Sequence, residues 1–242
     1  MTSFVDDYFR EVISRLDAAR IRQAAAMEKC VEAIVTASQD DGRIYFFGTG
    51  HSHMLGVETH YRAGGLAATV PVLAGSIMVH EGTVAGTVHE RMPGFARPIL
   101  ERYAISRGDV LFVTSNSGVN AAPLEAAEIG RERGATVVAI TSVEYSKMVA
   151  NGRPRLAEMA HIVLDNEAPP GDAVLTVSGS AQRVGPVSTI VGVALVNAIL
   201  AEASRRLAET SGAPIYVSAN MPGADEINRQ LVHRYRPRNP HL

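Results

Sequence analysis

The stretch Arg43-Ile44-Tyr45-Phe46-Phe47-Gly48-Thr49-Gly50-His51-Ser52 constrains this chain more than any other. Four apolar residues in a row lead into a loop with two glycines and a serine. Such a run predicts a buried strand, and Met54, Leu55 and Val57 predict a helix directly after the loop. Gly48 and Gly50 let the backbone turn tightly and approach a ligand closely. The start of the new helix presents unpaired N–H groups and the positive end of its dipole, which suits a phosphate. Taken alone, the motif fits an ordinary strand-to-helix turn equally well.

A second unit repeats the pattern. Asp109-Val110-Leu111-Phe112-Val113-Thr114 reads as another buried strand, and Ser115-Asn116-Ser117-Gly118-Val119-Asn120 leads from it into a helix. Two hydroxyls two residues apart, with Gly118 beside them, can wrap one phosphate group. Neither loop carries the lysine of a nucleotide-binding P-loop, which disfavours phosphoryl transfer. The first loop also lacks a dinucleotide fingerprint, because position 53 is histidine.

This pair of loops resembles the sugar isomerase (SIS) domain family, which binds phosphorylated sugars. Gly48, Gly50 and Ser52 match its Gly-x-Gly-x-Ser loop. Ser115, Ser117 and Gly118 match its Ser-x-Ser-Gly-x-Thr loop, with Asn120 where threonine is usual. The resemblance covers roughly residues 40 to 205. It implies an α/β fold, a three-layer αβα sandwich on a parallel, flavodoxin-like sheet, here with a long N-terminal helix. It also implies a phosphosugar ligand and a homodimer or higher homo-oligomer. The expected organisation is one domain: a helical segment 1–40, an α/β core 41–210 and a C-terminal extension 211–242. Alternation of strands and helices, with strands apolar throughout, independently argues for a parallel sheet covered on both faces.

Composition sets outer bounds. With 242 residues, 46% hydrophobic and 20% charged, the chain can build one large core or two small ones. A formal charge of −2 advertises no nucleic-acid surface. The basic cluster Arg229, His233, Arg234, Arg236 and Arg238 reads as a solvated terminus. Cys30 is the single cysteine, so no intrachain disulfide is expected, which is compatible with a cytoplasmic location. Asp6, Asp7 and Glu11 argue against a signal peptide. The apolar segment from Val187 to Leu200 is too short for a membrane span. No membrane or nucleic-acid partner, no cofactor and no metal are expected, since His51 and His53 two residues apart do not converge on an ion.

Along the chain, residues 3 to 38 read as helix with Ser3 as N-cap, residues 54 to 63 as helix, and Leu66 to Ala74 as a strand. Residues 83 to 94 read as a mobile loop. Asn120 is expected to cap the helix that Gly134 ends, and Ala168 to Pro186 reads as a loop before the apolar helix 187–209. Within that loop, Leu175 to Gly185 is loosely similar to the Thr-Gly-Ser-x-Arg-x-x-Gly-like loop of N-acetylmuramic acid 6-phosphate etherases. That similarity makes Ser178, Ser180 or Gln182 ligand contacts, against the plain alternative of a linker. Those etherases and the phosphoheptose isomerases carry an acid/base glutamate in the helix after the first loop. Arg62 occupies that position here, and the nearest carboxylate is Glu58, one turn earlier.

The candidate phosphosugar-binding residues are thus Gly48, Gly50, His51, Ser52, Ser115, Asn116, Ser117, Gly118, Asn120, Ser178 and Ser180. Candidate acids and bases are Glu58, His80, Glu81, Glu226 and His233. His80 and Glu81 lie near the end of the expected second strand. Glu226 and His233 enter because a late segment, or the partner subunit, often completes such sites in the family. Three functions follow from the resemblance. The foremost is an aldose–ketose isomerase of a sugar phosphate. The alternatives are a lyase cleaving an ether on an N-acetylamino-sugar 6-phosphate and a non-catalytic phosphosugar sensor. The isomerase needs a base to move a proton between adjacent carbons through an enediol.

Overall fold

Strands that are apolar at every position must be buried on both faces, and the computed structural model shows how. It describes residues 3–242. Two helices, α1 (Phe4–Arg22) and α2 (Ala24–Gln39), precede β1 (Ile44–Gly48). Then come α3 (Met54–Thr59), β2 (Thr69–Pro71), α4 (Thr83–His89), α5 (Ala96–Leu100) and β3 (Val110–Thr114). They are followed by α6 (Ala121–Glu132), β4 (Thr136–Thr141), α7 (Val143–Ala150), α8 (Leu156–Met159) and β5 (Ile162–Asp165). A hairpin of β6 (Ala173–Thr176) and β7 (Arg183–Pro186) leads into α9 (Ser188–Thr210), and α10 (Ala224–Tyr235) comes last.

The sheet order is β2-β1-β3-β4-β5, and every pairing in it is parallel. Successive residues of each strand serve opposite layers. Ile44 and Phe46 of β1, with Phe112, Val138 and Leu164, pack under α2 and α9, and the Phe46 and Phe112 rings stack at 4.7 Å. Tyr45 and Phe47, with Leu111, Val113, Val137 and Ala139, pack against α5 and α6. Cys30 lies fully buried in the first layer, where burial pushes its thiol up to about 12, so it acts as a packing residue. Connections leave β1 and β3 toward opposite faces of the sheet. A crevice therefore opens at their carboxyl ends, the place where open α/β sheets bind ligands.

Several local expectations are met and others are refined. Ser3 caps α1 in a capping box with Asp6. The helical run is divided at Gln23, whose side chain accepts from the Asp165 N–H (3.1 Å) and donates toward Glu167. The helix after the first loop stops at Thr59 instead of running to 63, because the Thr69 hydroxyl takes the Thr59 carbonyl (2.8 Å) and Tyr61 turns left-handed (φ 48°). The second strand is confined to Thr69–Pro71. The segment read as a mobile loop forms α4, which packs on the turn Gly75–Ile77 through Gly86; a small-residue contact leaves no apolar period to read. The loop 168–186 contains the β6–β7 hairpin, packed on α1 by Val12, Leu16, Val174 and Val187.

The C-terminal segment closes the opposite end of the sheet. Arg43, just before β1, stacks over Tyr235 at 4.7 Å, and Arg238 pairs with Asp109, just before β3. Asn239 donates to the Thr69 carbonyl (3.3 Å), and His241 Nε2 meets the Tyr103 hydroxyl at 2.8 Å. The last residues thus cover the open edge of β2, the usual way an edge strand is protected.

Candidate functional site

The first loop folds back onto the end of its own strand. A Cβ on Gly48 would lie 2.5 Å from the Ser52 carbonyl group and 2.7 Å from the His53 nitrogen, so only glycine permits the close approach. Gly50 has φ 54° and open space around it. The Ser52 N–H donates to the Thr49 carbonyl (3.0 Å), which closes a 3-10 turn over Gly50–His53 and runs straight into α3. His53 is buried, and its Nδ1 donates to the Gly50 carbonyl, leaving Nε2 as an acceptor. Burial, with smaller contributions from His80 and His51, holds this imidazole below its usual range.

The second loop lies alongside, since β1 and β3 are neighbours. The Ser115 hydroxyl is buried and accepts from the Gly118 N–H (3.2 Å). Gly118 has φ 60° and sits against Thr141 and Ser146. Asn116 accepts through Oδ1 from Asn166 (3.1 Å), and Asn166 in turn is pinned by the Ala168 N–H (3.1 Å). Asn120 occupies the N-cap position of α6 without capping it. Its amide donates instead to Glu90 Oε1 (2.9 Å).

Glu90 ties the two loops together. Its Oε2 accepts from the Thr49 hydroxyl (2.6 Å) while Oε1 accepts from Asn120, and its carbonyl accepts from the Ala122 N–H (2.9 Å). With a side chain only 17% exposed, this carboxylate is a fixed strut. Between the loops a narrow pocket is lined by Ser52, Asn116, Asn166, Ser188 and Thr189, together with Leu55 and Thr114. Ser188 and Thr189 begin α9, the long helix whose amino end points into this crevice.

The sequence candidates are distributed unevenly. His51, Ser52 and Asn116 line the pocket or its neighbouring groove. His80 stands beside the first loop, its ring 5.7 Å from that of His53. The Glu81 carboxylate lies against Gly75, where any Cβ would collide with it. Glu58 is held by Arg62 (3.1 Å) and Asn197 (3.2 Å) on the side facing α9. Ser178 and Ser180 lie in the turn of the hairpin, where the Ser180 hydroxyl is engaged by Gln182 (2.8 Å). Glu226, paired with Arg229 (3.0 Å), and His233 are on α10, at the end of the sheet closed by Tyr235 and Arg238.

Glu90, Asn166, Ser188 and Thr189 reach the crevice without having been singled out from the sequence. Ser188 and Thr189 stand at the mouth of an apolar run, where hydroxyls read as helix caps. Glu90 falls in the segment read as a loop. Among the described residues no helix is long and apolar enough to cross a membrane, and no group of three or more histidine, cysteine, aspartate or glutamate side chains could hold a metal ion.

A family model described as the SIS domain matches residues 7–142. A UPF0309 protein of Brucella canis is 58% identical over 242 residues, covering 100% of both chains. A phosphoheptose isomerase from Francisella tularensis superimposes with a TM-score of 0.57 at 18% identity, over 85% of this chain and 100% of that one. The sugar isomerase domain of an RpiR transcription factor from Sphaerobacter thermophilus gives 0.53 at 19% identity, over 96% and 99%. At such identities the likeness to these two structures is one of fold.

Proposed function

This chain belongs to the SIS-domain family, and we propose that it binds a sugar phosphate between its two loops and interconverts aldose and ketose forms. One observation carries the reading. Ser52, Asn116, Asn166, Ser188 and Thr189 converge from four separate segments on one pocket at the carboxyl ends of β1 and β3. The hydroxyls of Ser52 and Thr189 and the amides of Asn116 and Asn166 are of the kind that solvate a phosphate and its neighbouring sugar oxygens, while the Ser188 hydroxyl is held by Asp172. Ser117 and the backbone of the second loop add donors beside them. The Asn116 NH2 group is not used in its bond to Asn166, so it remains a donor for the ligand.

Holding the phosphate leaves the sugar carbonyl to be met by a base. His80 is the residue we assign, because the turn ahead of α4 brings it beside the first loop and next to His53. A neutral imidazole there can take the proton from the carbon next to the carbonyl and return it to the neighbouring carbon, with an enediol between. Glu226 and His233 contribute only if a second copy brings them. The surface that a second copy covers is on α1: Val5, Phe9 and Ile13, spaced four apart, form an exposed apolar row.

The test is proton NMR in heavy water with a panel of aldose, ketose and N-acetylamino-sugar 6-phosphates. Deuterium entering the carbon next to the carbonyl, together with a new isomer signal, is the expected result, and His80→Asn should abolish it while binding persists. Exchange accompanied by lactate release would turn the assignment to the lyase. Binding with no exchange by any sugar would turn it to the sensor.

A further inference from the structure

Next to the polar pocket lies a second groove of about 370 Å³, open to solvent, which shares Thr189 with it. Tyr8, His51 and Asp172 bring polar groups to it, and Met54 and Ile190 supply apolar walls. That mixture of apolar wall and a few fixed polar groups is what a sugar-sized ligand requires.

Asp172 is the fixed point of this groove. It stands in the turn between β5 and β6 with φ 69°, a left-handed conformation that its surroundings must hold in place. Its Oδ1 accepts from the backbone N–H groups of Val187 (3.1 Å) and Ser188 (2.8 Å), and its Oδ2 from the Ser188 hydroxyl (2.7 Å). The carboxylate thus supplies the cap that α9 lacks from its own sequence, and its charge is set at the rim of the groove. The Tyr8 hydroxyl donates to the Pro186 carbonyl (2.7 Å), so its lone pairs are free to accept. Along α1, Arg10 pairs with Asp7, Arg15 donates to the Glu167 carbonyl (2.7 Å) and Arg22 pairs with the Glu167 carboxylate (2.8 Å).

We propose that this groove holds the body of the sugar, and that Asp172 makes it select an uncharged polyhydroxy chain over one bearing a carboxylate. The proposal rests on the sugar-phosphate reading above and narrows it. A sugar hydroxyl can donate to the remaining lone pairs of Asp172 and Tyr8. A carboxylate at the same place meets a like charge, and among the described residues that line the groove the His51 imidazole is the one group able to carry a compensating positive charge. A neutral aldose or ketose phosphate therefore fits, and a sugar carrying a lactyl ether does not.

Sorbitol 6-phosphate and 6-phosphogluconate make a matched pair, differing by a hydroxymethyl group against a carboxylate. Isothermal titration of the full chain with both, and with inorganic phosphate, tests the assignment. The wild-type protein should favour sorbitol 6-phosphate by about tenfold or more, as two like charges a few ångström apart require. Asp172→Asn should bring the two ligands to within about threefold. Asp172→Ser, which keeps a capping oxygen without the charge, should do the same if the asparagine variant folds poorly. Equal wild-type affinities, or a ratio unchanged in both variants, would overturn the proposal. So would sugar phosphates that bind no better than inorganic phosphate, which would leave the phosphate site standing. Failure of all three ligands to bind would remove the phosphate reading itself, and this inference with it.

Discussion

Gly48→Ala tests whether the first loop works by close approach. The added Cβ would sit 2.5 Å from the Ser52 carbonyl group and 2.7 Å from the His53 nitrogen. Carbon atoms at rest need about 3.5 Å, so residues 49–53 must move outward by about 1 Å. Overpacking of this kind costs about 1–3 kcal/mol. Reduced freedom of the unfolded chain returns about 0.4–1 kcal/mol of that. A net loss of about 1–2 kcal/mol corresponds to a Tm lower by roughly 2–8 °C in a chain of this length. Ligand binding should suffer more. Displacing Ser52 removes a hydrogen bond to a charged group, about 1.5–3 kcal/mol, or roughly 10- to 100-fold in Kd. Gly64→Ala, outside both loops, is the control. Nothing lies within 4 Å of its Cβ, although its φ is 79°. It should therefore cost about 1–2 kcal/mol of stability through the left-handed backbone alone, with affinity near wild type. Differential scanning calorimetry and titration with the best ligand of the heavy-water panel measure both. A Gly48→Ala protein with wild-type affinity, beside a Gly64→Ala protein that has lost it, would refute the reasoning.

Three further outcomes are expected. Glu90→Ala frees Thr49 and Asn120 together; hydrogen bonds to a charged group contribute about 1.5–3 kcal/mol, so calorimetry should show a Tm several degrees lower, and titration a weaker ligand. His53, His60 and His241 are each held below the usual imidazole range, chiefly by burial. The unfolded chain takes up their protons near pH 6.5 and the folded chain only at lower pH, so stability is complete above about pH 6.5 and declines as the pH falls below it. Thermal melts between pH 7.5 and pH 5 should show that decline, and His241→Gln should flatten it. Phe9→Glu on the apolar row of α1 should shift the protein toward monomer in size-exclusion chromatography with light scattering.

Much of the fold was legible because the signals for it are local. Ile44 to Phe47, Val110 to Val113 and Val137 to Ile140 are apolar at consecutive positions, which only two-sided burial accommodates, and all became central strands. Gly134, with φ 80°, ends α6 where it was expected to. Small-residue packing and side-chain capping were harder to read. Gly86 seats α4 by offering no side chain at all, and Asn120 turned from its own helix to Glu90, thirty residues away.

The amino-acid sequence by itself determined the parallel sheet and the two glycine-bearing turns that end β1 and β3, because periodicity and backbone freedom belong to neighbouring residues. Only the tertiary structure decided which polar groups meet those turns. Glu90 just past α4, Asn166 beyond β5 and Ser188 at the head of α9 are far apart along the chain and have no shared spacing. The order β2-β1-β3-β4-β5 brings their ends into one crevice. The same order, with the Arg238–Asp109 pair, carries α10 and its Glu226 and His233 to the far end of the sheet. A side chain's partner across the fold is set by that layering, which no local pattern encodes.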